Sequence, residues 1–350
     1  MNMRHYQSPS IILSTMLALL LQPAPAATIR SADAYQTDFD DNVAADFCGG
    51  AIMESSYNPT PGGNLNTSHA TNAFLSGYAR LSARYANPVY LALVAGGAQS
   101  PTLVSVGNVP NGSGGKTNIY NYASGIFSNS LTKLTYSLYT ASGTINHTNL
   151  TVYVASRKND TPADAGSIGP YPYRVPHYLA WYNGRRLSLG EWTFLPGAAL
   201  REIAGADISA ASSSSTFVLT LSVVGGNDAG GIAANGKPCK LSAELRENGR
   251  RLASVRGQDQ SYNWSLGPEG PGSVFSASGD YNFGSWSPYA GDWDDSQSWG
   301  RGNHDIRLPG WTVFGFKPIM NIGTFQGIDV QALSVTQPPR ALLATMILIR

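Results

Sequence analysis

The chain has 350 residues, 42% hydrophobic and 13% charged, and its 23 Lys+Arg against 22 Asp+Glu give a formal net charge of +1. So even a balance excludes a nucleic-acid binder held by phosphate neutralisation, because no basic excess exists to release counterions. Charged content of about half the usual quarter also excludes a coiled coil, a helical repeat and a charge-driven disordered protein.

Residues 1 to 27 have the form of a secretory signal. Arg4 and His5 begin it, Ile11 to Leu21 form an apolar core, and Ala24-Pro25-Ala26-Ala27 is a small-residue cleavage region that makes Thr28 the expected mature start. The apolar run is too short to span a bilayer. Export, leaving the mature chain secreted or surface-attached, is the expected localisation. Thr71 to Tyr85 carries Phe74, Leu75, Tyr78 and Leu81 with Arg80 and Arg84 outward, a spacing that predicts one short helix. From Tyr85 to Ser156 the only charges are Lys116 and Lys133. A helix of a soluble protein needs a charged outer face, whereas a strand presents Ser, Thr and Asn outward equally well. Pro88 to Val94, Pro101 to Val106, Leu131 to Tyr139 and Leu150 to Ala155 are therefore predicted strands. Turn residues around Gly143 and Asn146 predict that the last two form a long-looped hairpin.

A boundary is predicted between Gly184 and Asp207, where Asn183-Gly184 and Pro196-Gly197 flank a short amphipathic stretch. Beyond it, Thr216 to Val224 alternates clearly, and Leu241 to Leu245, Asn248-Gly249 and Arg251 to Val255 form a hairpin signal. Five of the seven Trp fall between Trp264 and Trp311, in a window that also holds Tyr289 and several Phe. Trp286, Trp293, Trp299 and Tyr289 lie among Gly, Ser, Pro and Asp, and flat π faces beside Asp and Asn acceptors suit sugar recognition as well as they suit a core. Ala341 to Ile349 closes the chain with both faces apolar, so as a strand it must be covered on two sides and paired.

Cys48 and Cys239 are the only cysteines. In an oxidising compartment a single pair is most simply a disulfide, here closing a loop of about 190 residues; two thiols are the alternative. Metal-ligand spacing is lacking at both, and no metal or cofactor is expected. Phe47-Cys48-Gly49-Gly50 echoes a trypsin-like segment without the base and nucleophile that chemistry needs. The run Asp292, Asp294, Asp295, Asn303 and Asp305 matches no EF-hand spacing; it reads as a solvated acidic loop, with oxygen ligation of Ca²⁺ in one loop as the alternative. A glycosidase pair is supported by composition alone, and no catalytic residue is assigned.

Phe217 to Val224 with Gly225-Gly226, Cys239 in a strand, Leu308-Pro309-Gly310, and Gly323-Thr324-Phe325-Gln326-Gly327 leading into Ile328 to Val335 resemble two-domain minor pilins of bacterial chaperone–usher fimbriae, in layout the colonization-factor (class 5) tip adhesins. The resemblance covers about a third of the chain. It implies an all-β chain of two immunoglobulin-like sandwiches in tandem, an adhesin-like domain at 28–197 and a pilin-like domain at 198–350. It further implies a non-enzymatic surface subunit, assembled by donor-strand complementation with a periplasmic chaperone, an outer-membrane usher and other pilus subunits, and binding a host or surface glycan receptor. Leu343, Met346, Ile347 and Ile349 would belong to the strand that pairs with the chaperone or a neighbouring subunit. The alternative is a free secreted carbohydrate-binding protein or a glycan-active hydrolase using Trp264 to Trp311.

Overall fold

The structure, a computed structural model, describes residues 27–51, 56–58, 68–85, 88–97, 109–110, 116–117, 126–127, 129–158, 177–193, 199–209, 214–225, 239–259, 310–320 and 323–337. The strands, in chain order, are β1 Ile29–Arg30, β2 Ala34–Thr37, β3 Phe47–Ala51, β4 Ser56–Asn58, β5 Ala70–Leu75, β6 Tyr78–Ala83 and β7 Val89–Leu93. Then come β8 Val109–Pro110, β9 Lys116–Thr117, β10 Ile126–Phe127, β11 Ser130–Thr140, β12 Leu150–Lys158, β13 His177–Tyr182 and β14 Arg186–Thr193. The last are β15 Ala199–Asp207, β16 Phe217–Gly225, β17 Cys239–Glu247, β18 Arg250–Asp259, β19 Gly310–Pro318 and β20 Gln326–Thr336. Apart from two 3-10 turns, at Ala44–Asp46 and His147–Asn149, the described chain is strand and loop.

Two nine-stranded antiparallel sheets make a sandwich. The first runs β1-β2-β20-β11-β16-β17-β18, with β6 on β20 and β5 on β6; the second runs β15-β14-β13-β12-β19-β7-β3-β4, with β10 on β19. Alternation decides which side chains meet between them. Leu134 and Tyr136, then Phe217, Leu219, Leu221 and Val223, face Val152 and Val154, Leu187 and Leu189, and Phe314 and Phe316 in one interior cluster. Each of these side chains is fully buried, and burying an aliphatic or aromatic side chain of this size stabilises by about 1.5–3 kcal/mol.

Several expectations change against this pairing. Instead of two tandem immunoglobulin-like sandwiches, each sheet takes strands from both sides of residue 197: β20 lies between β2 and β11, and β19 lies between β12 and β7. Leu131 to Tyr139 and Leu150 to Ala155 are strands, but not a hairpin. β11 pairs with β16 and β20 in one sheet while β12 pairs with β13 and β19 in the other, so their connection arches across the sandwich. The predicted helix at Thr71 to Tyr85 is the β5–β6 hairpin, turning at Ser76-Gly77 with Gly77 at φ 79°. There Ala79, Leu81 and Ala83 alternate into the core, and that period of two overrides the coincidental helical spacing. The Asn248-Gly249 hairpin forms as read, with φ of 48° and 81° at the two turn residues, the combination a two-residue turn of this hand requires.

Cys48 and Cys239 are not joined. Both are buried thiols. Cys239 belongs to the interior cluster, whereas Cys48 alternates with the inward Phe47 and stands opposite Ala92 on the outer face of the second sheet. The Cys239 sulfur accepts a hydrogen bond from Nη1 of Arg157 at 3.2 Å. Arg157 is on β12, and β19 and β7 lie between β12 and the strand of Cys48. Two cysteines on opposite faces, with whole strands between, do not meet the geometry of a disulfide.

A candidate ligand face on the second sheet

The outer face of the second sheet carries its own cluster: Tyr90, Ala92, Tyr153, Ala155, Leu179 and Val313, with Trp181 packed against them. Register places its aromatic members in one transverse row. Gly50 is opposite Tyr90, Tyr90 opposite Gly315, Gly315 opposite Tyr153, Tyr153 opposite Trp181, Trp181 opposite Ser188, and Ser188 opposite Gly205. Tyr90 and Tyr153 are 3% and 5% exposed, and Trp181 is half-buried. Gly315 permits the close approach of β7: a Cβ there would run into the Val89 carbonyl oxygen. The neighbouring row, Cys48, Ala92, Val313, Ala155, Leu179 and Gly190, is built of small and aliphatic residues.

At the β14–β15 end this aromatic row meets a polar network. Arg186 donates from Nε and Nη2 to Glu202, the latter to Oε1 at 2.7 Å, and from Nη1 to Asp207 Oδ1 at 2.7 Å. Ser188 donates to the other Glu202 oxygen at 2.6 Å. Arg186 and Glu202 are about one-third exposed and Asp207 is largely exposed. Gly205 is the condition for this arrangement, since a Cβ there would sit 2.5 Å from Nη2 of Arg186 and 2.6 Å from Oε1 of Glu202. The guanidinium and carboxylate thus lie down on the sheet over a glycine. The hydrogen bonds from Arg186 and then Ser188 hold the Glu202 carboxyl below its ordinary range. Glu202 is therefore an anionic acceptor at neutral pH and not a proton donor.

The two ends of the sandwich differ. The connections β7–β10, β12–β13, β14–β15, β16–β17 and β18–β19 all leave and re-enter at the end where Arg157 binds Asn129, Gly225 and Cys239. Arg157 is 1% exposed with φ 60°, a left-handed backbone that turns its side chain inward between the sheets. The opposite end is closed by shorter turns, including Asn183-Gly184-Arg185 and Asn248-Gly249. There His147 packs against Tyr136, Tyr182 and Phe217 with ring centroids 5.8, 4.7 and 4.2 Å away.

Trp286, Trp293, Trp299 and Tyr289, the acidic run from Asp292, the Pro101 to Val106 strand and the tail carrying Leu343, Met346, Ile347 and Ile349 lie outside the described residues. Among the described residues no three His, Cys, Asp or Glu side chains group as metal ligands. Sequence reading missed Arg186, Glu202 and Asp207, which it placed in a boundary segment. The available signal was Arg186-Leu187-Ser188-Leu189, an alternating polar–apolar run directly after a turn.

Two antiparallel sheets in face-to-face packing define the chain as an all-β sandwich protein. No family model matches it, and no curated protein does. Similar solved structures include an alginate lyase from Klebsiella pneumoniae (11% identical, 86% of this chain and 99% of that one covered, TM-score 0.38). They also include lectin II from Ulex europaeus (8% identical, 87% and 97% covered, TM-score 0.39) and the carbohydrate recognition domain of Emp47p (9% identical, 90% and 99% covered, TM-score 0.36). Because enzymes stand among these structures, the expectation of a non-enzymatic protein is withdrawn. Likenesses of this size assign no residue a role here.

Proposed function

We propose that the protein is exported and binds a glycan on the outer face of its second sheet, at the junction of Trp181 with the Arg186–Glu202–Asp207 network. The observation that carries this reading is the register. Trp181 stands directly across from Ser188, whose hydroxyl holds Glu202, so an aromatic face and a fixed set of hydrogen-bonding groups adjoin on neighbouring strands. Aromatic surface beside a few oriented polar groups is how proteins hold sugars, the ring giving area and the polar groups orientation. The groups are fixed by strands and by one another, so little side-chain freedom is lost on binding. The test is affinity electrophoresis of the exported chain through gels containing polysaccharides, with turnover of each polysaccharide measured in parallel. Retardation abolished by Trp181→Ala supports the reading; retardation unchanged by Trp181→Ala removes it.

A further inference from the structure

Building on the glycan-binding reading, we infer that this face selects neutral sugars, which it reads by accepting hydrogen bonds from their hydroxyl groups, and discriminates against uronates. A face that captured carboxylates would present a guanidinium with its fork turned outward, because bidentate pairing is what arginine offers an acid. Here the fork is already occupied. Nε and Nη2 of Arg186 go to Glu202 and Nη1 goes to Asp207, so one cation is shared between two acids of the same face. The trio carries one net negative charge.

The groups left for a ligand are mainly acceptors. Each ionised carboxylate has about four lone-pair sites. Asp207 uses one of them in its bond to Arg186 and is 84% exposed, while Glu202 remains about one-third exposed. A sugar hydroxyl donates into such sites. A uronate carboxylate would instead meet like charge, and like-charge juxtaposition is how an interface rejects the wrong partner. The Lys317 ammonium offers no rescue, since β19 stands three strand spacings from β14, about 14 Å away, and the Debye length in physiological salt is about 8 Å. Arg185, another cation, lies in the turn that precedes β14. Gly205 is the positioning residue of the set, because any side chain there lifts the Arg186–Glu202 pair off the sheet.

The full exported chain is run through gels carrying a neutral glucan, galactan or mannan, or a polygalacturonate or polymannuronate, at low and physiological salt. Wild type, Trp181→Ala, Glu202→Gln and Arg185→Gln are compared, with the thermal midpoint of each recorded as a fold control. Retardation is expected from a neutral polysaccharide only. It should weaken at least tenfold in Glu202→Gln, whose amide keeps the size but loses acceptor capacity and charge, and should persist in Arg185→Gln. Retardation of the wild type by a uronate polymer, or undiminished neutral-sugar binding by folded Glu202→Gln, overturns the inference and leaves glycan binding standing. No retardation by any polysaccharide, with Trp181→Ala behaving as wild type, overturns the glycan reading itself.

Discussion

Lowering the pH should destabilise this protein through one histidine. His147 is 2% exposed, lies against three aromatic rings, and neither ring nitrogen has a hydrogen-bond partner among the described residues. Burial pushes its pKa from the ordinary 6.5 down to about 3, only partly offset by the Glu247 carboxylate. Burial also pushes the neighbouring Tyr182 phenol up to about 12 and holds Tyr136 well above its ordinary value, so neither phenol ionises in the range concerned. The proton therefore prefers the unfolded chain. The stability contributed by neutral His147 is fully present above pH 6.5 and is lost as pH falls towards 3, at about 1.4 kcal/mol per unit. By pH 4.5, two units below the unfolded value, the loss is about 2–3 kcal/mol. Carboxylates titrate in the same range, so the quantity to measure is a difference. Urea unfolding of wild type and His147→Phe is compared at pH 7.5 and pH 4.5. The phenylalanine keeps a ring in the aromatic cluster and cannot be protonated, so the wild type should lose about 2–3 kcal/mol more than the variant over that interval. Equal losses would show that His147 titrates alike in both states and would refute the buried neutral imidazole.

Two further outcomes follow from the packing. Cys48 and Cys239 should both resist a thiol reagent in the native protein, being 0% and 1% exposed, and both should react in denaturant without reductant. Absence of thiol in the denatured, unreduced protein would reinstate the disulfide. Gly315→Ala should cost about 3 kcal/mol or more, at the upper end of overpacking penalties, since the new methyl meets the backbone of Val89 and Tyr90, which cannot swing aside. Gly143→Ala, with φ 76° and nothing within 4 Å of the new atom, should cost only the left-handed backbone penalty of about 1–2 kcal/mol. Equal midpoints for the two variants in thermal unfolding would contradict the close strand approach at Gly315.

Local alternation was legible wherever one face of a strand meets the core and the other meets solvent. Leu131 to Tyr139, Thr216 to Val224 and the hairpin at Asn248-Gly249 are such segments, and each forms as read. Pairing between strands distant in sequence left no local mark. Nothing in Gln326 to Thr336 says that it lies between β2 and β11, and nothing in Gly310 to Pro318 says that it lies between β12 and β7. A break between two domains was therefore drawn through a region that the sheets knit together. The Gly184 to Asp207 segment looked like a linker because its Gly and Pro punctuate it, yet β14 and β15 within it hold the polar half of the candidate site. Arg186, Glu202 and Asp207 are 16 and 21 residues apart along the chain, and only the antiparallel register of β14 with β15 makes them one group. The disulfide expectation failed for a different reason: cysteine counting carries no information about which face of a sheet each residue occupies.

Hydrogen exchange followed by mass spectrometry, with the full chain free and then saturated with the polysaccharide that retards it in gels, locates the bound glycan. A glycan on the sheet face should slow exchange in peptides spanning residues 177–207, the strands that carry Trp181, Ser188, Arg186 and Glu202. Protection confined to residues 260–309, with 177–207 unchanged, would place the ligand on the tryptophan-rich connection and contradict the sheet-face site.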